Sequence, residues 1–430
     1  MTAVVVYGFL AVCLVRLAGL VRATAVNVPF QDQWDLLRPM FAGDGWWAAF
    51  RWQHGPHRQG LGGVINGLLY QATNWDVRAE SWAAVAVLGC AALAAIVLAR
   101  RLRGRPHWGD AAFPLIFMSP VHWETMILTP NLAHGILPVL LVLLLALAWT
   151  ARTLPGRLVG AGVVGSLCLF TGFAFCAAFL SAGLAMLLIL RPSGSETERR
   201  AALALLVIFA LALVAFGWGY RWDPAVPGWR FPVEAWWDYP RFVALMFSSL
   251  LGWRAMGAGP VVLGGLFLGP VLLAFAWSGR ELWARRDGPA VRAVWLLTGT
   301  SLAFASFTAI GRLPVNIEAA FMWRYLPLLT PAVAGLLIWA GVVVRPSWRR
   351  GGALLGLAVG AVVWGNFTPE RHAAVIAEAK HRWIDAYLAT RNLGAANQAA
   401  DFYVYRGDPE SPAIAERLRW LEQNRLSFFR

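Results

Sequence analysis

Long apolar runs in this chain are separated by short polar junctions, and every second junction carries an arginine cluster. The clusters are Arg100, Arg101, Arg103 and Arg105; Arg152 and Arg157; Arg191, Arg199 and Arg200; Arg280, Arg285 and Arg286; and Arg345, Arg349 and Arg350. Trp, Pro, His and acidic residues fill the alternate junctions. Basic loops stay on the cytoplasmic side of a membrane protein, so the rhythm predicts a polytopic chain and orients it. A helix needs about 20 apolar residues to cross the hydrocarbon core, fewer when it is short or broken inside a bundle. Eleven spans fit, at 3–23, 77–98, 108–120, 131–150, 157–171, 173–190, 201–219, 260–278, 291–310, 325–344 and 352–366. An odd count puts the N-terminus inside, the C-terminus outside and every arginine cluster inside. The first run lacks a basic leader and a clear cleavage site, and reads as a retained helix.

Composition agrees. The chain is 59% hydrophobic and only 14% charged, where a soluble domain would be about 25% charged. A net charge of +14 points to nucleic acid in other settings. Here the excess arginine flanks apolar spans, where anionic lipid is the partner, and no nucleic-acid-binding module is present. Lys380 is the only lysine, a bias that suggests a GC-rich bacterial genome and hence a bacterial cytoplasmic (inner) membrane. Cys13, Cys90, Cys168 and Cys176 all lie in apolar runs without metal-ligand spacing and read as buried thiols.

Three external segments exceed turn length. In the first, about 24–76, Trp34, Leu37 and Phe41 share one helical face, which predicts a short interfacial helix with that face in lipid. Residues 61–72 form a second such helix or a re-entrant one. The second segment, about 220–258, carries Trp222, Trp229, Trp236, Trp237 and Trp253, the composition of an aromatic belt. The third is 311–324. The transmembrane part therefore spans 1–366, with a small α-rich external tail at 367–430. Within the tail, Glu370–Asn392 reads as an amphipathic helix, 401–405 as a short strand, and Ser411-Pro412 as a helix start.

Polar chemistry concentrates outside. Asp32 and Asp35, three residues apart just after the first span, would point the same way on a helix. Partial desolvation there would raise a carboxylate's proton affinity and suit it to general-base work. The alternatives are a helix cap for Asp32 and a pair with Arg38 for Asp35. His54, His57 and Arg58 offer directional donors to a phosphate or hydroxyl; Gly55-Pro56 between the histidines argues against a helical metal site. Trp123, Glu124, His134, Arg312, Arg324 and Tyr325 complete the external set, and Trp323-Arg324-Tyr325 suits an anion beside an apolar groove. Carboxylates, arginines and tryptophans above a lipid-facing bundle match an amphiphile with a lipid tail, a phosphate and a sugar. No Walker motif supplies ATP.

These motifs resemble the GT-C superfamily of membrane glycosyltransferases, and within it a set of bacterial integral membrane proteins. The resemblance rests on Asp32-Gln33-Trp34-Asp35, His54-Gly55-Pro56-His57-Arg58, Trp123-Glu124, Arg324-Tyr325 and Leu426-Ser427-Phe428, in that order and topological placement. Gly55-Pro56 replaces the acidic residue expected between the two histidines, which puts any metal in doubt. The resemblance implies an all-α, GT-C-like polytopic fold. It also implies inverting transfer of a sugar from a polyprenyl-phosphate donor to a glycan or glycolipid acceptor during cell-envelope biogenesis. Asp32, or Asp35 in reserve, would be the base. His54, His57, Arg58, Trp123, Glu124, Arg312, Arg324 and Tyr325 would bind substrate, with or without a divalent cation (Mg or Mn). Two rival readings are an O-antigen-type polymerase or ligase, which depends on external Arg and His, and a lipid-linked sugar transporter or flippase. The latter calls for ionisable groups at the bilayer centre.

Overall fold

A computed structural model of the chain describes residues 2–190, 195–222, 229–284, 286–342, 346–365 and 368–430. Arg191, Arg285 and Arg345 of the arginine clusters lie outside them. Among the described residues the protein is all-α apart from one hairpin of two two-residue strands. Among the described residues nine helices are long and apolar enough to cross a membrane. Leu154–Phe170, in the place of the expected fifth span, is a shorter apolar helix. The expected third span is reduced to a turn at Trp108–Ala111 and the helix Ala112–Phe117. Eleven full-length spans are therefore not present among the described residues. Ala112–Phe117 is buried along its whole length and need not match the hydrocarbon thickness alone; Leu154–Phe170 is buried only on the face that carries Ala161, Gly165 and Cys168.

Helix ends sort into two groups. Glu80, at the start of Arg78–Arg103, accepts from the backbone N–H of Leu132 at 3.0 Å, and Arg101, near that helix's end, donates to the carbonyl of Leu147 at 3.0 Å. The helix Leu137–Trp149 therefore runs parallel to Arg78–Arg103. Arg292, at the start of Pro289–Arg312, reaches the Trp149 carbonyl at 3.3 Å, so that helix runs back. One end of the bundle thus gathers Arg101, Trp149 and Arg292, and the other gathers Glu80, Leu132 and Arg312. Arg16, inside the first apolar run, is paired with Glu370 at 2.7 Å and stacks over Trp364 at 4.0 Å.

Among the described residues two hydrophobic cores are present. The larger fills the bundle. The second joins the first loop to the tail, and contains Phe30, Trp34, Leu37, Trp75, Trp383 and Leu418. This overturns the interfacial-helix expectation: Trp34 and Leu37 are buried to 0% and 1% exposure against the tail, not turned to lipid. The helix is broken into Gln33–Leu36 and Arg38–Phe41. Phe41 packs on Trp75 (centroids 4.6 Å) and Trp420 (5.6 Å). The expected strand at 401–405 is irregular chain. It is held by Gln31 N–H donating to the Val404 carbonyl at 2.7 Å and by Phe30 stacked on Phe402 at 5.1 Å. Helices Thr368–Thr390 and Pro412–Gln423 occupy the two expected helical places. Asp238–Leu250, absent from the sequence reading, is an amphipathic helix whose Phe242, Leu245, Met246 and Phe247 are buried. Cys90 is exposed, the other three thiols buried.

Candidate functional site

The hairpin explains how two histidines reach one place. Gln53–His54 pairs antiparallel with His57–Arg58, His54 opposite His57. Gly55, at φ +57°, followed by Pro56, fits a two-residue turn that needs a positive φ only at its first position. The imidazoles of His54 and His57 lie 6.0 Å apart, and His57 lies 5.4 Å from His134. Phe173 closes the other side of His57 at 4.7 Å. A close approach brings His134 in: Gly172 has φ +54°, and a Cβ there would meet the Ala133 carbonyl oxygen at 1.8 Å.

Asp32 sits just above. Its backbone is helical and its side chain caps nothing, so the carboxylate is free to face inward. Oδ2 lies 3.8 Å from His54 Nε2 and 3.8 Å from Arg324 Nη1. On the far side of Arg324, Nε lies 3.8 Å from Glu124 Oε1, while Glu124 Oε2 accepts from the Arg324 backbone N–H at 3.0 Å. One guanidinium is thus held between two carboxylates without a hydrogen bond to either, and its buried Nε has no partner. Glu124 and His134 stand in two π-helical turns, Glu124–Leu128 and Leu132–Ile136, irregular windings that recur at functional sites.

Asp32, Glu124, His134 and Arg324 line one cavity of about 370 Å³, with Phe30, Gln31, Thr125, Asn131, Ile376 and Arg406; His54 and His57 stand beside it and are not lining residues. It opens at the end of the bundle remote from Arg101 and Arg292. Asp32, at 40% exposure, is held down at about 2, first by His54, 3.8 Å away, and then by the charge of Arg324. The sequence reading expected desolvation to raise it. Desolvation does oppose the shift, and the cationic neighbours outweigh it. Glu124 is pushed up by burial, with Arg324 opposing. His57 is pushed well below the ordinary histidine range, by burial first and then by His134, His54 and Arg312. It is a neutral ring at pH 7, with both nitrogens buried and unpartnered.

Other expected site residues are elsewhere. Asp35 points into the tail and accepts from Tyr405 Oη at 3.1 Å, which replaces the expected pair with Arg38. Arg58 donates to the carbonyls of Phe216 (2.6 and 2.9 Å), Trp218 (2.8 Å) and Arg51, closing the C-terminal end of Glu196–Gly217. Its fork is spent on the backbone and does not line the cavity. Trp123 is buried, stacked on His372 (5.9 Å) and against Trp323 (6.4 Å). Tyr325 is buried beside Arg324, whose guanidinium carbon lies 5.8 Å from its ring. Arg312 acts on His57 through charge and is not a lining residue. Among the described residues no group of three or more His, Cys, Asp or Glu side chains is placed to hold a metal ion.

No family profile matches this sequence, and no curated protein matches it. Among solved structures the chain is similar to the crystal structure of ArnT from Cupriavidus metallidurans bound to undecaprenyl phosphate. Identity is 17%, with 96% of this chain and 75% of that chain covered at a TM-score of 0.42. A likeness that remote assigns no ligand and no reaction here.

Sequence reasoning missed the residues that position the cavity. Glu80, buried to 1% exposure, accepts from Asn66 Nδ2 (2.9 Å), Tyr70 Oη (3.0 Å), Gln33 Nε2 (3.4 Å) and Leu132 N–H (3.0 Å). Gln33 Oε1 in turn accepts from Phe30 N–H at 3.1 Å. This knot ties the residues flanking Asp32 to the start of the helix Arg78–Arg103 and to the π-turn that carries His134. In sequence Glu80 looks like an ordinary span-boundary acid. Arg406 was missed because it belongs to the tail; its backbone N–H meets Gln31 Oε1 at 3.3 Å.

Proposed function

We propose that this chain is a membrane glycosyltransferase of the GT-C type that moves a sugar from a polyprenyl-phosphate donor to an envelope glycan or lipid acceptor at the external face. The observation that carries this reading is the convergence of Asp32 and Arg324 in one cavity at the bundle end opposite Arg101 and Arg292. A carboxylate and a guanidinium hydrogen-bonded to neither neighbouring acid match the two demands of the reaction. The acceptor oxygen attacks the anomeric carbon and its proton goes to Asp32. The bond from that carbon to the phosphate oxygen breaks, and its electron pair leaves with polyprenyl phosphate. A phosphate is a stable leaving anion, so positive charge near it, from Arg324 with Arg406 at the rim, does the work a general acid would otherwise do. In the free protein Asp32 is a weak base because Arg324 and His54 hold its charge. A donor phosphate would engage Arg324, weaken its pull on Asp32 and return basicity to the carboxylate when it is needed. Glu124 holds Arg324 in place through the backbone N–H.

Against a transporter stands the clustering of the ionisable groups at one end of the bundle; transport calls for them at its middle. The test is transfer from a synthetic polyprenyl-phosphate sugar by the purified chain. Asp32→Asn should lower kcat about 100- to 10,000-fold, the range for loss of a positioned base. Asp35→Asn, whose carboxylate faces Tyr405, should keep activity within about tenfold. Full activity in Asp32→Asn removes the proposed base.

A further inference from the structure

A second cavity is larger than the one described above. At the opposite end of the bundle, a space of about 480 Å³ is walled by Arg103, Arg105, Arg349 and Arg350, with Asp110 the single carboxylate and His107 beside it. It is built by the turn after Arg78–Arg103, where Gly104 at φ +76° reverses the chain and the His107 ring caps the next turn by accepting from Gly109 N–H at 3.1 Å. Arg103 is fixed: it pairs with Asp110 and donates to the Ala99 carbonyl at 3.2 Å. Arg349 donates to the Val342 carbonyl at 3.3 Å. Arg105 and Arg350 stand exposed at the rim. Phe113, Leu337 and Val342 supply an apolar wall.

We propose that this cavity binds a phosphate-bearing anion, with Arg105 and Arg350 as the contacting residues and Arg103 and Arg349 as the charged frame. Four guanidinium groups against one carboxylate leave an uncompensated positive field in a concave space, where it is strongest. Arginine's planar fork is suited to phosphate oxygens. The apolar wall would receive an acyl or prenyl chain attached to that phosphate, so an anionic lipid headgroup of the arginine-rich leaflet fits cavity and position together. A free phosphate would meet the same arginines without using the wall. The inference is independent of the transferase reading, since none of these residues lines the Asp32 cavity.

The experiment compares the full chain with Arg105→Gln/Arg350→Gln and with a control, Arg100→Gln/Arg152→Gln, which removes equal charge outside the cavity. Each is reconstituted in phosphatidylcholine nanodiscs containing phosphatidylglycerol, released, and weighed by native mass spectrometry for retained lipid; thermal stability is read in parallel with and without inorganic phosphate. Loss of retained phosphatidylglycerol by about tenfold or more in the cavity variant, against less than about twofold in the control, supports a lipid ligand. Stabilisation of the wild type by inorganic phosphate that vanishes only in the cavity variant supports a soluble anion. If neither readout separates the cavity variant from the control, the site does not exist.

Discussion

Replacing Trp34 by alanine tests whether the first loop is held by the tail or by lipid. Its indole is 0% exposed and stacks on Phe41 at 6.2 Å, which in turn touches Trp75 and Trp420. Arg417 also donates to the Trp34 carbonyl, a contact the substitution leaves in place. Truncating a buried tryptophan in a packed aqueous core costs about 3–5 kcal/mol in transfer and cavity terms. Because this core is separate from that of the bundle, the loss should fall on local opening of the tail and leave the spans intact. At about 1.4 kcal/mol per decade, amide exchange in 393–405 and 412–423 should speed up by roughly two to nearly four decades, while peptides from Leu137–Trp149 stay unchanged. Hydrogen-exchange mass spectrometry in detergent or nanodiscs reads both. If the indole sat in lipid, its removal would leave tail exchange within about twofold of wild type, and that result refutes the second core.

Arg324→Ala should weaken donor binding about tenfold or more, while Arg324→Lys recovers charge but not the planar fork and should fall between; an unchanged donor affinity, by titration with the lipid phosphate, removes Arg324 from the site. The pH response of Asp32 follows from its carboxyl lying at about 2, below the ordinary 3.8. A lowered acid contributes stability that is complete above about 3.8 and lost as pH falls through about 2. Between pH 5 and 8 the free protein should therefore show no carboxylate protonation at Asp32 by difference infrared spectroscopy against Asp32→Asn, and an Asp32-dependent band change inside that window contradicts the geometry.

Much of the architecture was legible because it depends on local quantities. Span length is set by a run of apolar side chains against a fixed hydrocarbon thickness, and loop arginines sort by charge. Helix starts such as Ser411-Pro412 follow from one residue's backbone freedom. The short helix Ala112–Phe117 departed from the expected span because neighbours, not lipid, cover all six of its residues, whereas Leu154–Phe170 stands where a short span was expected. Within the candidate site, the gathering of Asp32, His54, Glu124 and Arg324 at one end of the bundle matches the span ends on which they were expected. Arg58 did not follow, since a guanidinium looks the same in sequence whether it meets a ligand or a helix end.

Periodicity marks Trp34, Leu37 and Phe41 as an apolar face, but it carries no label for the phase that covers it. Lipid and a folded tail satisfy the same stripe, and only the position of Trp75, Trp420 and Leu418 in space chose between them. Likewise the sequence fixes which carboxylates exist, while their proton affinity depends on which cations approach within a few ångströms. His54 and Arg324 lie far from Asp32 along the chain yet 3.8 Å from it in space. Burial alone would have raised that acid; the fold lowered it by bringing the cations in.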